Sequence, residues 1–180
     1  DANTTGTENT AIGTGALGSA TTASYNTAIG TSALDAVTSS FNVAVGRNAG
    51  TGITSGGNNV AIGDGVMSNG TMTGTMNTII GSVAGAFVTS GSQNTAMGRT
   101  ALYATTTGSF NSAYGRDSLN ANTTGSNNSA FGYESLKANT TAANNVGIGY
   151  QALKTNTTGT QNVAVGANAL DANTDGDQNT

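Results

Sequence analysis

The five residues NTAIG at positions 9–13 occur again, unchanged, at positions 26–30. Variants of this stretch recur along the whole chain, and each of the ten copies begins with Asn: Asn9, Asn26, Asn42, Asn59, Asn77, Asn94, Asn111, Asn128, Asn145 and Asn162. Successive copies lie 17 residues apart, except for one spacing of 16 after Asn26 and one of 18 after Asn59. Such a period is typical of repeat proteins, in which each unit packs on its neighbours. Residues 1–180 are therefore expected to form a single array of ten repeats, here called laps.

Three positions of the lap do not vary, counting its first Asn as position 0. Gly always stands at position +4 and Thr at position +12, so that the fixed columns include Asn9, Asn26, Asn94, Asn111, Asn128, Gly13, Gly30, Gly98, Gly115, Gly132, Thr21, Thr38, Thr106, Thr123 and Thr140. Stacked Asn side chains can form a hydrogen-bonded ladder. An invariant Gly indicates a positive φ or a close backbone approach. The Thr hydroxyl is expected to bond to the neighbouring lap. All three columns are expected to serve stability rather than chemistry.

The remaining positions predict two short strands in each lap. The first covers N-x-A-Φ-G, where Φ is a large apolar residue such as Ile12 or Phe131. Both of its faces are small or apolar, so we expect one face inside the coil and the other against a second chain. The second strand is predicted from Leu at +8, Ala at +10 and Thr at +12, which share one parity and indicate a single buried face.

A 17-residue unit is too short for a βαβ crossover, whereas two strands and two turns can close one lap of a solenoid. The sequence therefore predicts an all-β fold, a β-solenoid or β-roll of ten laps. At the usual strand spacing of about 4.8 Å, ten parallel laps give a rod roughly 50 Å long.

Composition argues against several classes of function. The chain has no Cys and no His, which removes thiolate chemistry, the usual general base and the commonest metal ligand. Its net charge of −4 and its five cations argue against a nucleic-acid groove. No apolar run approaches the roughly 20 residues of a membrane span. We expect neither an enzyme nor a cofactor, and no insertion into a membrane.

Two groups of carboxylates are candidate chemical sites. Asp117 and Glu134 both occupy position +6 on adjacent laps, about 5 Å apart if the laps stack in parallel, as in retaining glycosidases. No pocket is implied there, and charged residues on a convex turn are the favoured interpretation. Asp171, Asp175 and Asp177 carry oxygen ligands suited to calcium, but their spacing matches no EF-hand, which favours a solvated acidic turn.

Asn122, Asn139 and Asn156, each with the Thr two residues later, are expected to point outward on three successive laps. Such an array could contact ice, although it is interrupted in earlier laps by Val37, Ile53, Gly70, Met72 and Val88. Turn chemistry and solubility are the favoured explanation. The sequence also contains six N-x-[ST] sequons, which are candidate glycosylation acceptors: Asn3, Asn69, Asn122, Asn127, Asn139 and Asn156.

Two complete units, NSAFGYESLKANTTAAN at 128–144 and NVGIGYQALKTNTTGTQ at 145–161, closely resemble repeats of phage and bacterial tail-fibre proteins. That resemblance covers nearly the whole chain and includes the period. The N-x-A-I-G core is also similar, over about five residues per unit, to the head repeat of trimeric autotransporter adhesins. The resemblance implies a trimeric β-roll located outside the cell, on a cell surface or on a virion.

We therefore expect a structural segment of an extracellular fibre that spaces or presents a binding tip. Its expected partner is itself, as a homotrimer or an end-to-end filament, and cell-surface glycans are a further candidate. The alternative is a solenoid face that itself binds glycans or ice.

Overall fold

A computed structural model describes residues 3–180, so the first two residues of the array lie outside it. Each lap contributes one three-residue strand, and the strands are β1 (Thr10–Ile12), β2 (Thr27–Ile29), β3 (Val43–Val45), β4 (Val60–Ile62), β5 (Thr78–Ile80), β6 (Thr95–Met97), β7 (Ser112–Tyr114), β8 (Ser129–Phe131), β9 (Val146–Ile148) and β10 (Val163–Val165). They form one ten-stranded sheet in chain order. The predicted β-solenoid of stacked laps is confirmed.

The strands pair in parallel with every repeat position opposite its equivalent, for example Ala113 opposite Ala130 and Tyr114 opposite Phe131. Alternation along each strand turns the central Ala into the coil, where Ala28 and Ala113 are fully buried. Ala suffices at this position where Leu at +8 fills the interior, whereas in the lap in which +8 is Gly85 the larger Ile79 is fully buried there instead. The Φ side chains of these strands project from the other face.

The predicted second strand is wrong. Residues at +5 to +10 form consecutive turns, and the Leu at +8 has a positive φ, 50° at Leu34 and 49° at Leu119. Position +6 is also left-handed, with φ of 56° at Ser32 and 58° at Asp117. Two left-handed residues so close together curl the chain and break the two-residue alternation that a strand requires.

These turns still bond from lap to lap. The Leu34 amide donates to the Ala49 carbonyl at 3.0 Å, and the Ala104 amide donates to the Asn120 carbonyl at 3.0 Å. Backbone bonds along the solenoid axis therefore continue well beyond the sheet, which satisfies the polar groups of a lap that has little regular strand.

The core lies between the sheet and the turns. It is formed by positions +2, +7, +8 and +11, with Ala at +2, Leu34, Leu102, Leu119, Leu136 and Leu153 at +8, and Val37, Ile53 and Val88 at +11. Position +10, which was expected to face inward, is instead half-buried at Ala104 and Ala121. The shift from +10 to +11 follows from the curl of the turns.

Both irregular laps keep the sheet in register. Thr27 pairs with Val43 across the 16-residue lap, and Val60 pairs with Thr78 across the 18-residue lap. The extra residue lies near Gly70. Thr71 is exposed there, and the Thr54 hydroxyl donates to the Met72 carbonyl instead of to the carbonyl of Thr71.

The described part of the chain contains no helix long and apolar enough to cross a membrane.

Candidate interaction face

The Asn at position 0 joins each lap to the next and closes its own lap. Asn111 accepts the backbone amide of Asn128 on its Oδ1 atom at 3.0 Å, and its Nδ2 atom donates to the Gly125 carbonyl at 2.9 Å. The same Oδ1 bond recurs from Asn9 to Asn179. Because Asn offers both an acceptor and a donor, neither Asp nor Leu can replace it.

The Thr and Gly columns also lie where stacking requires them. Thr38, Thr89, Thr106, Thr123 and Thr140 each donate a hydroxyl bond to the carbonyl of the next lap at 3.0–3.1 Å. Thr21 accepts on its carbonyl from the Thr4 hydroxyl. The φ values at position +4 lie between 126° and 146°, a region that favours Gly.

A second Asn ladder lies inside the later laps. Asn122, Asn139 and Asn156 are fully buried, and the Asn139 Nδ2 atom donates to Asn122 Oδ1 at 2.9 Å. The prediction that these three Asn residues point outward is wrong, so they cannot contact ice, whereas Thr124, Thr141 and Thr158, predicted to point outward with them, are exposed. The signal was present in the sequence, because position +11 holds Val37, Ile53 and Val88 in earlier laps, and apolar residues in a column indicate the core.

The same finding removes three glycosylation candidates. Asn122, Asn139 and Asn156 have no accessible side chain, and the Nδ2 atom of each already donates to a carbonyl three residues on. Asn3, Asn69 and Asn127 are exposed. Attachment of a glycan to this fold would therefore be limited to Asn3, Asn69 and Asn127.

The outer face of the sheet carries an exposed apolar stripe. Position +3 supplies it, and its residues are Ile12, Ile29, Val45, Ile62, Ile80, Met97, Tyr114, Phe131, Ile148 and Val165. The side chains at the ends and the middle are open, with 59% of Ile12, 49% of Met97 and 68% of Val165 exposed. Position +1 on the same face holds Thr, Val or Ser. The stripe extends through every lap and is a candidate site of association.

Aromatic side chains stack in columns where the laps repeat them. Tyr114 and Phe131 lie in the stripe with ring centroids 4.8 Å apart. Tyr133 and Tyr150 stack at 5.4 Å in position +5, immediately beside it, and the Arg116 guanidinium lies 5.6 Å from the Tyr133 ring centroid. This alignment follows from the parallel register, which places equivalent side chains one above another.

Glu134 lies at the centre of a polar cluster next to these rings. Its carboxylate accepts from Lys137 Nζ at 2.6 Å, from Lys154 Nζ at 3.0 Å and from Gln151 Nε2 at 2.8 Å. Hydrogen bonds from Lys137 and then Lys154 lower the pKa of Glu134 to about 2, although burial opposes the shift. The same contact raises the pKa of Lys137. Glu134 is therefore a carboxylate at neutral pH and a poor proton donor.

Carboxylates of both candidate groups form hydrogen bonds or ion pairs with neighbouring residues. Asp117 accepts from the Thr100 hydroxyl and lies 3.2 Å from Arg116 Nε. Asp177 accepts the Thr160 amide at 2.6 Å and its hydroxyl at 2.9 Å, and these bonds lower its pKa. Within residues 3–180, no three acidic side chains converge as metal ligands. Asp117, Glu134 and Asp177 are therefore each engaged by neighbouring side chains or amides.

Comparisons with protein families, with curated proteins and with solved structures find no match to this chain. Function is therefore inferred from the geometry of the surface. The surface offers one long apolar stripe and, beside its later laps, a column of stacked rings among cations.

Proposed function

We propose that this chain is a structural rod segment of an extracellular fibre, of the tail-fibre or adhesin-head type, which spaces or presents a binding tip. The observation that carries the proposal is the outward stripe at position +3, which runs through every lap of a solenoid whose buried polar side chains, among residues 3–180, all have hydrogen-bond partners. A rod of this kind has one obvious use for a continuous apolar stripe, which is to pack against an equal rod.

The proposed partner is the same chain, associated in parallel around a common axis. Identical chains have identical lap spacing, so parallel copies stay in register along their whole length without any adjustment. Three copies would let each stripe face the other two, and the number three comes from the tail-fibre and adhesin resemblance. This arrangement would give both faces of the sheet an apolar neighbour, as parallel sheets ordinarily require.

The mass of the native assembly tests the proposal. Sedimentation equilibrium of the intact chain is expected to give three times the chain mass, 17.5 kDa. Electron microscopy should then show straight rods with a three-fold cross-section. A single-chain mass at all accessible concentrations would refute association through the stripe.

A pair of variants identifies the face. Tyr114→Glu combined with Phe131→Glu places carboxylates in the middle of the stripe. This double variant should dissociate the assembly into single chains while the circular dichroism of the sheet persists. Phe110→Asn is the control, because Phe110 is more exposed than Tyr114 and Phe131 but lies at position −1, where its φ of 59° suits Asn. An assembly that survives the double Glu variant would place the contact elsewhere.

A further inference from the structure

We propose that the position +5 column of the later laps, formed by Arg116, Tyr133 and Tyr150 and flanked by Lys137 and Lys154, is a binding strip for an anionic polysaccharide lying along the rod. It is called the ring strip below. The inference concerns the flank of the rod and does not depend on the number of chains in the assembly.

The later laps carry an excess of positive charge. Residues 94–161 contain four of the five cations of the chain and two carboxylates, a local net charge of +2 in a chain whose total is −4. The rest of the molecule therefore carries −6. Such a separation concentrates an anionic polymer at these four laps and repels it from the rest of the protein.

The side chains of the ring strip are accessible to a ligand. Arg116 has 54% of its side chain exposed, and Tyr150 is 52% exposed. Tyr133 covers one face of the Tyr150 ring, whereas the next residue in the column is Ala167, which is too small to cover the other face. An exposed ring face is an apolar platform on which the C–H face of a sugar ring can pack.

The polar groups around the rings supply the remaining chemistry. Both lysines share the single carboxylate of Glu134, which leaves one positive charge uncompensated beside Tyr133. Their side chains are about one third exposed, so the ammonium groups can also contact solvent or a ligand. Carboxylate or sulfate groups on a polysaccharide would be attracted there, and ring packing would add an interaction that a simple counter-ion lacks.

The spacing favours a linear polymer over a small ligand. The three groups repeat once per lap, with 5.6 Å from guanidinium to ring and 5.4 Å from ring to ring. A chain running parallel to the axis can touch all of them. Single-stranded nucleic acid fits less well, because it binds by stacking successive bases on separate ring faces and this column offers only the outer face of Tyr150.

The test is a binding titration of the intact protein against polygalacturonate, dextran sulfate, neutral dextran and a thymidine 20-mer. We expect polygalacturonate and dextran sulfate to bind and to weaken as salt is raised, and dextran and the oligonucleotide to show no comparable binding. Tyr150→Ala should weaken polygalacturonate binding about tenfold, since a lost ring contact is of that order. Lys154→Gln should weaken it and reduce its salt dependence.

The control is Tyr25→Asn, which removes an exposed ring outside residues 94–161 and suits the φ of 59° at that position. It should bind as the unaltered protein does. Absence of binding to both anionic polysaccharides, or equal binding by Tyr150→Ala, would overturn the proposal. Equally tight binding of the oligonucleotide would also overturn it, because the strip would then select charge alone.

The outcome is separable from that of the proposed fibre. A protein that sediments as a single chain and still binds polygalacturonate through Tyr150 would support the ring strip and refute the trimer. A trimer with no affinity for either anionic polymer would do the reverse.

Discussion

At the scale of single residues, the fold is decided by unusual backbone conformations rather than by bulky side chains. Positions −1, +6 and +8 are left-handed with non-Gly residues in nearly every lap, including Leu34, Asp117 and Phe110. Each such residue costs of the order of 1–2 kcal/mol relative to ordinary conformations. The surrounding hydrogen bonds and the buried Leu must offset these costs, which explains why the repeat is conserved so closely within the chain.

Gly115 tests the strictest of these positions. Its φ is 130°, and an added Cβ would collide with the carbonyl oxygen of Gly132 on the next lap. Gly115→Ala is expected to lower the free energy of unfolding by about 3 kcal/mol or more, measured by denaturant titration. Gly65→Asn is the control, because Gly65 has open surroundings and a φ of 62°, close to the 55° of Asn48 at the same position in the previous lap. Equal losses in the two variants would contradict the close approach.

Val83 offers the opposite test. It is a β-branched residue with a φ of 57°, in a column where four other laps have Gly or Asn and the rest have Ser, Thr, Asp, Glu or Gln. Val83→Asn should raise the free energy of unfolding by about 1 kcal/mol because Asn tolerates this conformation better. Thermal denaturation measures the change, and a lower melting temperature would show that side-chain packing at Val83 outweighs its backbone strain.

At the scale of the element, the sequence predicts the strand and misses the turns. The first strand is evident because Ala and Φ alternate between two faces, and the parallel register follows from the constant period. The turn over positions +5 to +10 is not evident, because Leu at a positive φ has no signature in composition. Parity alone therefore predicted a strand there. The buried Asn122 was missed for a different reason, since Asn and Thr in a row suggest an exposed turn unless the whole column is compared.

The inner Asn ladder predicts a non-additive result. Asn139→Val removes the donor to Asn122 Oδ1 and to the Ala142 carbonyl and should destabilise the protein by about 1–3 kcal/mol. The triple variant Asn122→Val, Asn139→Val and Asn156→Val should lose less than the sum of its parts, because Val already fills this column at Val37 and Val88. Strictly additive losses in denaturant titrations would count against a ladder.

The Glu134 cluster predicts a loss of stability in acid. The pKa of Glu134 in the folded protein is about 2, below the ordinary 4.5, so the carboxylate contributes stability above pH 4.5. That contribution declines as the pH falls from 4.5 towards 2. Glu134→Gln should lack this part of the acid dependence, as measured by unfolding at a series of pH values. Parallel pH profiles for the two proteins would exclude the Glu134 cluster as the source of the acid dependence.

At the scale of the whole molecule, every lap depends on its two neighbours. The Asn26, Asn111 and Asn162 amides make the same bond to the Oδ1 atom of the preceding Asn, at 2.9 Å in each case. Differences in their protection can therefore come only from the position of the lap in the stack. In linear repeat proteins, opening spreads inward from the ends.

Hydrogen exchange should reveal that gradient. The amide of Asn111 is expected to exchange more slowly than those of Asn26 and Asn162, which lie nearer the ends of the array. The measurement is native-state exchange resolved by residue. Equal rates at the three amides would mean that the solenoid opens as one cooperative unit instead.

The two irregular laps carry a consequence for how such a molecule changes in evolution. The lap after Asn26 is one residue shorter than the others and the lap after Asn59 is one longer, yet the pairs Thr27–Val43 and Val60–Thr78 remain aligned. Errors of copying are thus absorbed at the turns and do not propagate along the sheet. Gain or loss of a whole repeat would leave every remaining junction intact, since each lap meets only its neighbours. Rod length is then a quantity that recombination between near-identical repeats can adjust in steps of about 4.8 Å.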